Sequence, residues 1–193
     1  MTKPPALPDS ESRKALVARL TRPVVLVGMM GVGKSSVGRR LAAALDMPFY
    51  DADDEIEKAA QMRVPEIFEQ FGEDYFRDGE RRVIERLLDQ RHAVIATGGG
   101  AFVQQQTADM ILERGIAIWL DADLETLLER VSRNDNRPLL RGGNKREILA
   151  RLKAEREPSY ARAPIKVTSG KGPHGEVVAR ILEALKTWQT LAQ

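Results

Sequence analysis

Apolar residues along the chain follow two patterns, short unbroken runs and longer stretches with helical spacing. Five short runs predict buried strands, at Val24–Val27, 47–50, 93–97, 116–120 and 165–167. The stretches between them predict helices, at 36–45, from 56 onward, and at 64–71, 75–91, 104–114, 124–131, 146–160 and 176–191. Strands that alternate with helices indicate an α/β fold, a three-layer sandwich in which helices cover both faces of a five-stranded parallel sheet.

Glycines and polar segments predict where these elements end. Gly72 separates two neighbouring helices, and Gly115 is expected as the C-cap of the helix at 104–114. Asp54 and Glu55 are expected in the first turn of the helix from residue 56. Residues 132–144 are polar and contain two glycines, which predicts a mobile loop.

The segment between the first strand and the following helix, GMMGVGKS at 28–35, matches G-x-x-x-x-G-K-[ST] at every fixed position. Its glycines turn successive N–H groups toward phosphate oxygens, Lys34 can reach the β- and γ-phosphates, and the Ser35 hydroxyl can bind Mg²⁺. An ordinary glycine-rich turn is the alternative. The complete motif between a strand and a helix favours a phosphate-binding loop.

Special residues also follow two other predicted strands. Because ligands of parallel sheets bind at the carboxyl ends of strands, Asp51, Asp53 and Gly98–Gly100 are expected near the phosphate loop. In an extended segment both aspartates face one side, so that one can hold Mg²⁺ through water while the other orients an attacking hydroxyl. The alternatives are an acidic helix start and a flexible turn. Thr97 stands where many phosphate-loop enzymes carry an aspartate, which shifts the metal role to Asp51.

Arginines form two further candidate groups. Arg77 lies near three phenylalanines in the sequence, a setting that suits a planar carboxylate on an apolar ring. Cations in and before the loop at 132–144 are expected to neutralise charge in phosphoryl transfer: Arg130, Arg133, Arg137 and Arg141. Arg156 follows on the next helix. Surface cations are the alternative in each case, and both histidines, His92 and His174, are interpreted as surface residues.

Composition bounds the remaining possibilities. The 193 residues suit one domain, and a net charge of +2 does not by itself indicate nucleic acid or membrane binding. The chain has no cysteine, which excludes disulfides and thiol nucleophiles and fits a reducing cytosol. No apolar run has the length of a membrane span. Residues 1–8 contain three prolines and are expected to be a disordered tail, not a secretory signal, and 10–20 predict a short peripheral helix.

From Val24 to the last predicted helix, the chain resembles the shikimate kinase family in six motifs that occur in the family's order. They are MGVGKS at 30–35, DAD at 51–53, FR at 76–77 followed by Glu80, GGG at 98–100, RPLL at 137–140 and R-x-x-x-Y at 156–160. The resemblance implies the phosphate-loop kinase fold, with strand order 2-3-1-4-5. It also implies the reaction of ATP with shikimate to give ADP and shikimate 3-phosphate, on the pathway to chorismate and aromatic amino acids.

The resemblance implies residue roles as well. Lys34, Asp53 and Arg137 would be catalytic; Lys34 and Arg137 stabilise charge on the transferring phosphoryl group, and Asp53 binds the acceptor hydroxyl and acts as its base. The implied ATP site consists of Gly31, Val32, Gly33, Lys34, Ser35, Ser36, Arg130, Arg137, Lys171 and Pro173. The implied shikimate site consists of Asp53, Phe68, Phe76, Arg77, Gly98, Gly99, Gly100 and Arg156. One Mg²⁺ ion would be held by Ser35 and, through water, by Asp51.

The same resemblance divides the chain into a partly disordered N-terminal extension, 1–20, and a single kinase domain, 21–193. Within the domain, the acceptor part is expected at about 51–80 and the lid at about 132–144. ATP and shikimate are the expected partners of a cytoplasmic monomer that binds neither nucleic acid nor membrane. Departures from the family pattern are Ser36 where threonine is frequent, a loose match at 171–173, and the N-terminal extension.

Two other functions stay open at this stage. Another small-molecule kinase of the same fold, for gluconate or a nucleoside monophosphate, is the nearest; the two candidate carboxylate-binding arginines and RPLL favour shikimate over it. A regulatory nucleotide switch would carry a guanine-reading N-K-x-D. The sequence NKRE at 144–147 comes close, but it ends in glutamate and opens a predicted helix.

Overall fold

A five-stranded sheet forms the centre of the computed structural model, which describes residues 10–132, 144–170 and 172–191. Every pair of neighbouring strands is parallel, and the order is β2-β3-β1-β4-β5. The strands are β1 (Val24–Val27), β2 (Phe49–Asp51), β3 (Val94–Ala96), β4 (Ile116–Asp121) and β5 (Ile165–Thr168). The predicted fold class, all five strands and the strand order are therefore confirmed.

Helices cover both faces of this sheet. They are α1 (Ser10–Arg19), α2 (Lys34–Leu45), α3 (Ala52–Ala60), α4 (Val64–Leu88), α5 (Gln105–Arg114), α6 (Leu124–Ser132), α7 (Lys145–Tyr160) and α8 (His174–Leu191), and a short 3₁₀ turn spans Ala101–Val103. The central strand β1 is buried at all four positions because helices pack on both of its sides. Among the described helices, none has both the length and the apolar character that crossing a membrane requires.

The helix α1 confirms the short helix predicted at 10–20. It packs against α2 and contributes the buried Leu16, and Leu20 just after it is also buried in the core. The predicted disordered tail, 1–8, lies outside the described residues. The division of the chain at residue 20 stays a prediction.

The span α4 consists of two helical segments, as predicted. They meet at a kink at Gly72, where φ is 82° and ψ is 177°, so the helical geometry is interrupted there. Such a backbone conformation is accessible almost only to glycine. The helix also ends at Leu88, three residues before the predicted end at Arg91.

The helix α3 begins at Ala52, earlier than predicted, and this corrects the interpretation of the aspartate pair. Asp51 ends β2 and caps α3, because its side chain accepts a hydrogen bond from the backbone N–H of Asp53 at 3.2 Å. The segment is therefore not extended through both aspartates. Asp53 lies in the first turn of the helix, where its charge interacts favourably with the helix dipole.

Gly115 follows α5, and its N–H donates to Ile111 O at 2.8 Å. Gly115 is therefore the C-cap of α5, as predicted, and its φ of −127° is extended. A Cβ at this position would lie 2.8 Å from Cγ2 of Val25 on the central strand. The glycine thus serves the close approach of this turn to β1.

Candidate active site

The carboxyl ends of the strands open into a cleft of about 670 Å³. It is lined by the loop after β1, the ends of β2 and β3, one face of α6 and the start of α8. The predicted site residues in this lining are Gly31, Gly33, Lys34, Ser35, Ser36, Asp51, Asp53, Gly98, Gly99, Arg130 and Pro173. Six other predicted site residues are described by the structure but do not line this cleft: Val32, Phe68, Phe76, Arg77, Gly100 and Arg156. Arg137 and Lys171 lie outside the described residues, as do Arg133 and Arg141.

The loop after β1 has the geometry of a phosphate cradle. Gly31 and Gly33 have φ of 80° and 98°, in the left-handed region that glycine tolerates. Lys34 is the first residue of α2 and is buried; its Nζ donates to Gly28 O at 2.7 Å and to Met29 O at 3.0 Å. The loop therefore holds an ammonium group at a helix N-terminus, an arrangement that attracts anions.

The donor set beside this loop fits Mg²⁺ shared with a nucleotide. Ser35, Asp51 and Asp53 line the same cleft, and within the described part of the chain no cluster of three or more carboxylates or histidines could hold a metal ion. Mg²⁺ in nucleotide sites takes one or two protein ligands and fills its octahedron with phosphate oxygens and water. Thr97 is engaged elsewhere, because its hydroxyl donates to Leu26 O at 3.0 Å.

None of the three glycines after β3 has a positive φ, so the backbone conformation does not require glycine there. What these glycines provide is space for neighbouring side chains. A Cβ on Gly98 would lie 2.6 Å from Oε1 of Glu80 and 3.0 Å from Oδ1 of Asp53, and a Cβ on Gly100 would lie 2.6 Å from Nη1 of Arg77. The turn is therefore narrow enough for charged groups of α3 and α4 to lie directly against its backbone.

Arg77 is held by two carboxylates of its own helix. Its guanidinium donates to Oε2 of the buried Glu80 at 2.7 Å and to Oε1 of the half-exposed Glu73 at 3.0 Å. Burial alone would lower the pKa of Arg77, but Glu80 and Glu73 outweigh it and raise that pKa. For Glu80 the balance is opposite, because burial raises its pKa even beside Arg77. Its Oε1 has no hydrogen-bond partner among the described residues.

The helix α7 brings two more groups to the same turn. Arg156 donates to Gly99 O at 3.2 Å, and the Tyr160 hydroxyl donates to the same carbonyl oxygen. Tyr160 is buried, and burial raises its pKa to about 12. Arg77 and Arg156 thus lie at neighbouring glycines, so the turn carries a cation on each side.

The two predicted aromatic contacts pack on each other beside Arg77. The rings of Phe68 and Phe76 are 4.5 Å apart between centroids, and Phe76 is buried. The guanidinium of Arg77 lies 5.2 Å from the centroid of the Phe76 ring. The apolar surface expected near the arginine is present, although it lies outside the lining of the main cleft.

Arg130 ties three segments together at the other end of the cleft. Its guanidinium donates to Val32 O at 2.9 Å, to Gly170 O at 2.7 Å and to Oγ of Ser169 at 3.2 Å. The phosphate loop, α6 and the segment after β5 are therefore fixed relative to one another by one side chain.

His174 corrects the interpretation of both histidines as surface residues. His92 is exposed as expected, but His174 is half-buried and lines the cleft beside Pro173. Burial, with help from Arg40 and Arg130, lowers the pKa of His174. A single histidine carries no periodic pattern. The available signal is its place after the last strand, whose carboxyl end faces the cleft.

Two further lining residues, Thr126 and Glu129, share a face of α6 with Arg130. Thr126 lies three residues before Glu129 and four before Arg130, which places Thr126 beside each of them on the helix surface. Thr126 is buried, and its hydroxyl has no hydrogen-bond partner within the described ranges. The sequence analysis did not include Thr126 and Glu129. The available signal is their position on the helix near Arg130, which was predicted as a site residue.

Comparisons with known proteins relate the whole chain to one family. The family model described as shikimate kinase matches residues 30–186. A shikimate kinase of Novosphingobium aromaticivorans is 58% identical over 187 residues, which cover 95% of this chain and 97% of the relative. One of Caulobacter vibrioides is 55% identical over 163 residues, 84% of this chain and 82% of the relative.

Solved structures give the same result. The shikimate kinase of Acinetobacter baumannii in complex with shikimate superposes with a TM-score of 0.86 at 36% identity, covering 91% of this chain and 97% of the other. A gluconokinase of Sinorhizobium meliloti has a TM-score of 0.63 at 18% identity, with 90% and 97% covered. At that identity the second likeness concerns the fold alone.

Proposed function

This chain belongs to the shikimate kinase family and is an ATP-dependent kinase, and we propose that its cleft transfers the γ-phosphoryl group of ATP to the 3-hydroxyl of shikimate. The products are ADP and shikimate 3-phosphate, on the route to chorismate and aromatic amino acids. The observation that carries the proposal is the position of Asp53, which lines the cleft together with Lys34 of the phosphate loop and Gly98 of the glycine turn. A nucleotide and a hydroxylated acceptor can meet there.

The loop after β1 is the proposed phosphate site of ATP. Residues 31–36 supply N–H groups and hydroxyls, and Lys34 stabilises charge on the transferring group. Arg130 and Pro173 are proposed to border the adenine, together with Lys171. Arg137, in the lid proposed at 132–144, adds a second cation to the transferring group, because phosphoryl transfer depends mainly on positioning and charge stabilisation.

One Mg²⁺ ion is proposed as the cofactor, with the Ser35 hydroxyl as ligand and Asp51 holding it through water. When bound, the ion would neutralise negative charge on the β- and γ-phosphates. Asp51 lies at the end of β2, and its contact with the backbone of Asp53 fixes the direction of its carboxylate toward the cleft.

The acceptor is proposed to lie between Asp53 and the glycine turn. Asp53 binds the reacting hydroxyl and accepts its proton, and the backbone of Gly98–Gly100 contacts the ring hydroxyls. Arg77 and Arg156 bind the carboxylate, while Phe68 and Phe76 border the ring. Shikimate would replace the half-exposed Glu73 as a partner of Arg77 and leave the buried contact with Glu80 intact.

We further propose that the kinase domain comprises 21–193, with its acceptor part at about 51–80, and that it works as a cytoplasmic monomer without nucleic acid or membrane. The absence of cysteine supports a reducing compartment. Size-exclusion chromatography with light scattering tests the monomer; a dimer mass would overturn it.

A coupled assay of ADP release across a panel of acceptors tests the function. Shikimate is expected to support turnover with ATP and Mg²⁺, whereas gluconate and nucleoside monophosphates are not. Lys34→Ala is the matched inactive variant. Turnover with another acceptor and none with shikimate would overturn the proposal, and near-normal turnover of Arg137→Ala would remove the lid from it.

A further inference from the structure

His174 borders the phosphate loop at a point that the proposed reaction leaves unused. A Cβ on Gly33 would lie 3.6 Å from Cε1 of His174 and 3.7 Å from Nη1 of Arg130. The imidazole therefore stands beside the residue that precedes Lys34, at the nucleotide end of the cleft.

The two ring nitrogens of His174 differ in their surroundings. Nδ1 is buried and has no hydrogen-bond partner among the residues that the structure describes. A proton on Nδ1 would bury an N–H donor without an acceptor, at a cost of about 1–3 kcal/mol. A neutral ring with its proton on Nε2 leaves Nδ1 as an unpaired acceptor instead, which folded proteins tolerate more often than an unpaired N–H donor. The charges that face the ring act in the same direction, because Arg40 of α2 and Arg130 of α6 also lower the pKa of His174.

A neutral imidazole protonated on Nε2 offers one hydrogen-bond donor. Nε2 is bonded to Cε1, the ring atom near Gly33. In the proposed complex, the phosphate loop places phosphate oxygens along Gly31–Ser36, and a nucleotide enters from the side of Arg130 and Pro173. The acceptors within reach of this corner are then oxygens of the ribose and the α-phosphate.

We propose that His174 is a nucleotide-binding residue, whose Nε2–H donates a hydrogen bond to an oxygen of the ribose–α-phosphate portion of ATP. The proposal rests on the proposed function of the cleft. It assigns to the start of α8 a direct polar contact in addition to the packing of Pro173. The contact would hold the nucleotide beside Arg130, because both side chains lie at Gly33.

Three substitutions separate a hydrogen bond from space filling. The amide of His174→Gln reaches the position of Nε2, whereas the amide of His174→Asn reaches only that of Nδ1. We expect His174→Ala and His174→Asn to raise the KM for ATP by about 3–10-fold, the range of one neutral hydrogen bond. For His174→Gln, the KM for ATP is expected within about twofold of that of the unsubstituted protein. The KM for shikimate and the kcat are expected within the same range in all three variants.

His92→Asn is the matched control, since His92 is exposed and has no proposed role in the cleft. The KM of this variant for ATP should not change. An unchanged KM for ATP in His174→Ala would overturn the proposal. A His174→Gln variant as impaired as His174→Asn would also overturn it, because filled volume would then explain the effect.

Nuclear magnetic resonance of the unsubstituted protein provides a test that needs no folded variant at position 174. The chain has two histidines, so a spectrum of ¹⁵N-histidine protein contains two rings, assigned with His92→Gln. The signals of His174 are expected to show the Nε2–H tautomer and to move on addition of ADP, and not of shikimate. An Nδ1–H tautomer, or signals unmoved by ADP, would overturn the proposal.

The two proposals fail in different ways. If the protein releases no ADP in the presence of shikimate, the proposed reaction is wrong, while calorimetric titration with ADP still tests His174. If the unsubstituted protein phosphorylates shikimate and His174→Ala binds ADP with unchanged affinity, only the role of His174 is wrong.

Discussion

Gly98 shows at the residue scale how a missing side chain determines a binding site. Glu80 and Asp53 approach the turn after β3 so closely that a Cβ on Gly98 would lie within 3.0 Å of an oxygen of each. Glu80 cannot move freely, because it is buried and bonded to Arg77. A displaced Glu80 would therefore shift the guanidinium that is proposed to bind the acceptor carboxylate.

We expect Gly98→Ala to raise the KM for shikimate by about 10-fold or more, the effect of one misplaced charged hydrogen bond. The KM for ATP is expected within about twofold, because the added methyl group faces the acceptor side. Steady-state kinetics with each substrate varied in turn measures both. Gly79→Ala is the control, since its Cβ would have no atom within 4 Å; equal effects of the two substitutions would contradict the argument.

Glu80 itself makes stability depend on pH. Because burial raises its pKa in the folded protein above the ordinary value of 4.5, the folded state binds the proton more tightly than the unfolded state does. The resulting stabilisation is complete below the unfolded pKa and is lost as the pH rises through the folded pKa.

Glu80→Gln removes this titration while the charge of Arg77 stays constant. We expect the free energy of unfolding of Glu80→Gln, minus that of the unsubstituted protein, to increase as the pH rises above about 4.5, because only the unsubstituted protein loses this stabilisation. Urea denaturation at several pH values measures the difference. Glu73→Gln, which removes the half-exposed carboxylate paired with the same arginine, is the control and should give a smaller change of this difference with pH. A difference for Glu80→Gln that does not change with pH would contradict the raised pKa of Glu80.

The sequence alone indicated the phosphate loop with Lys34 and Ser35, because this motif consists of residues that are adjacent in the chain. It placed the glycine turn correctly after a strand, but the reason for each glycine lies in side chains from distant elements. His174 was misinterpreted for the same reason. Its surroundings, Gly33 and Arg130, come from other parts of the chain, and no local pattern indicates them.

At the scale of elements, α4 connects the two ends of the proposed acceptor site. Its first part carries Phe68, and its second part carries Phe76, Arg77 and Glu80. The kink at Gly72 sets the angle between these parts, and the contact between Phe68 and Phe76 across it depends on that angle. The sequence indicated this glycine as a boundary, and its non-helical φ and ψ confirm that the helical geometry is interrupted there.

Gly72→Ala is expected to lower the free energy of unfolding by about 1–3 kcal/mol, because a residue with a Cβ is strained at φ 82° and ψ 177°. No atom lies within 4 Å of the added Cβ, so the effect isolates backbone strain. Urea denaturation measures it. Gly79→Ala, in the helical part of α4, is the matched control and should stabilise by about 0.5–1 kcal/mol. Stabilisation by both substitutions would contradict the kink.

Helix starts were the least predictable boundaries, since α2 and α3 both begin before their apolar periodicity does. In α3 the cause is a cap, because Asp51 bonds to the backbone of Asp53 and allows the helix to begin at Ala52. Acidic residues at such a position suit both a helix start and a cation site. The sequence could not separate these two functions of Asp51.

The whole molecule places two half-sites on either side of β1. The phosphate loop, α6 and the start of α8 meet at Arg130, while α3, α4 and α7 meet at the glycine turn after β3. Alternation of strands and helices predicted the sheet and its parallel direction. The strand order followed only from the family resemblance, because local sequence does not specify which parallel strands become neighbours.

The two half-sites are proposed to bind different ligands, so we expect each ligand to stabilise the protein when it is added alone. A ligand at about 100 times its Kd adds about 2.7 kcal/mol, which for a chain of this length raises Tm by about 5–11 °C. We expect this increase with ADP and Mg²⁺ and, separately, with shikimate. In Arg130→Ala, tested at the same concentrations, the increase with ADP should fall by at least about half, because the nucleotide half-site loses the side chain that joins its three segments.

Arg146→Ala is the matched control for this measurement by differential scanning calorimetry. Arg146 is an exposed cation on α7, and it forms an ion pair with the exposed Glu125, so both ligands should raise Tm as in the unsubstituted protein. Arg130→Ala is expected to have a lower Tm without ligand, because three acceptors lose a donor. Its increase with shikimate should nevertheless persist, since Gly99 and Arg156 lie at the other half-site. Equal loss of both increases would mean that Arg130 supports the entire cleft and that the half-sites are not independent.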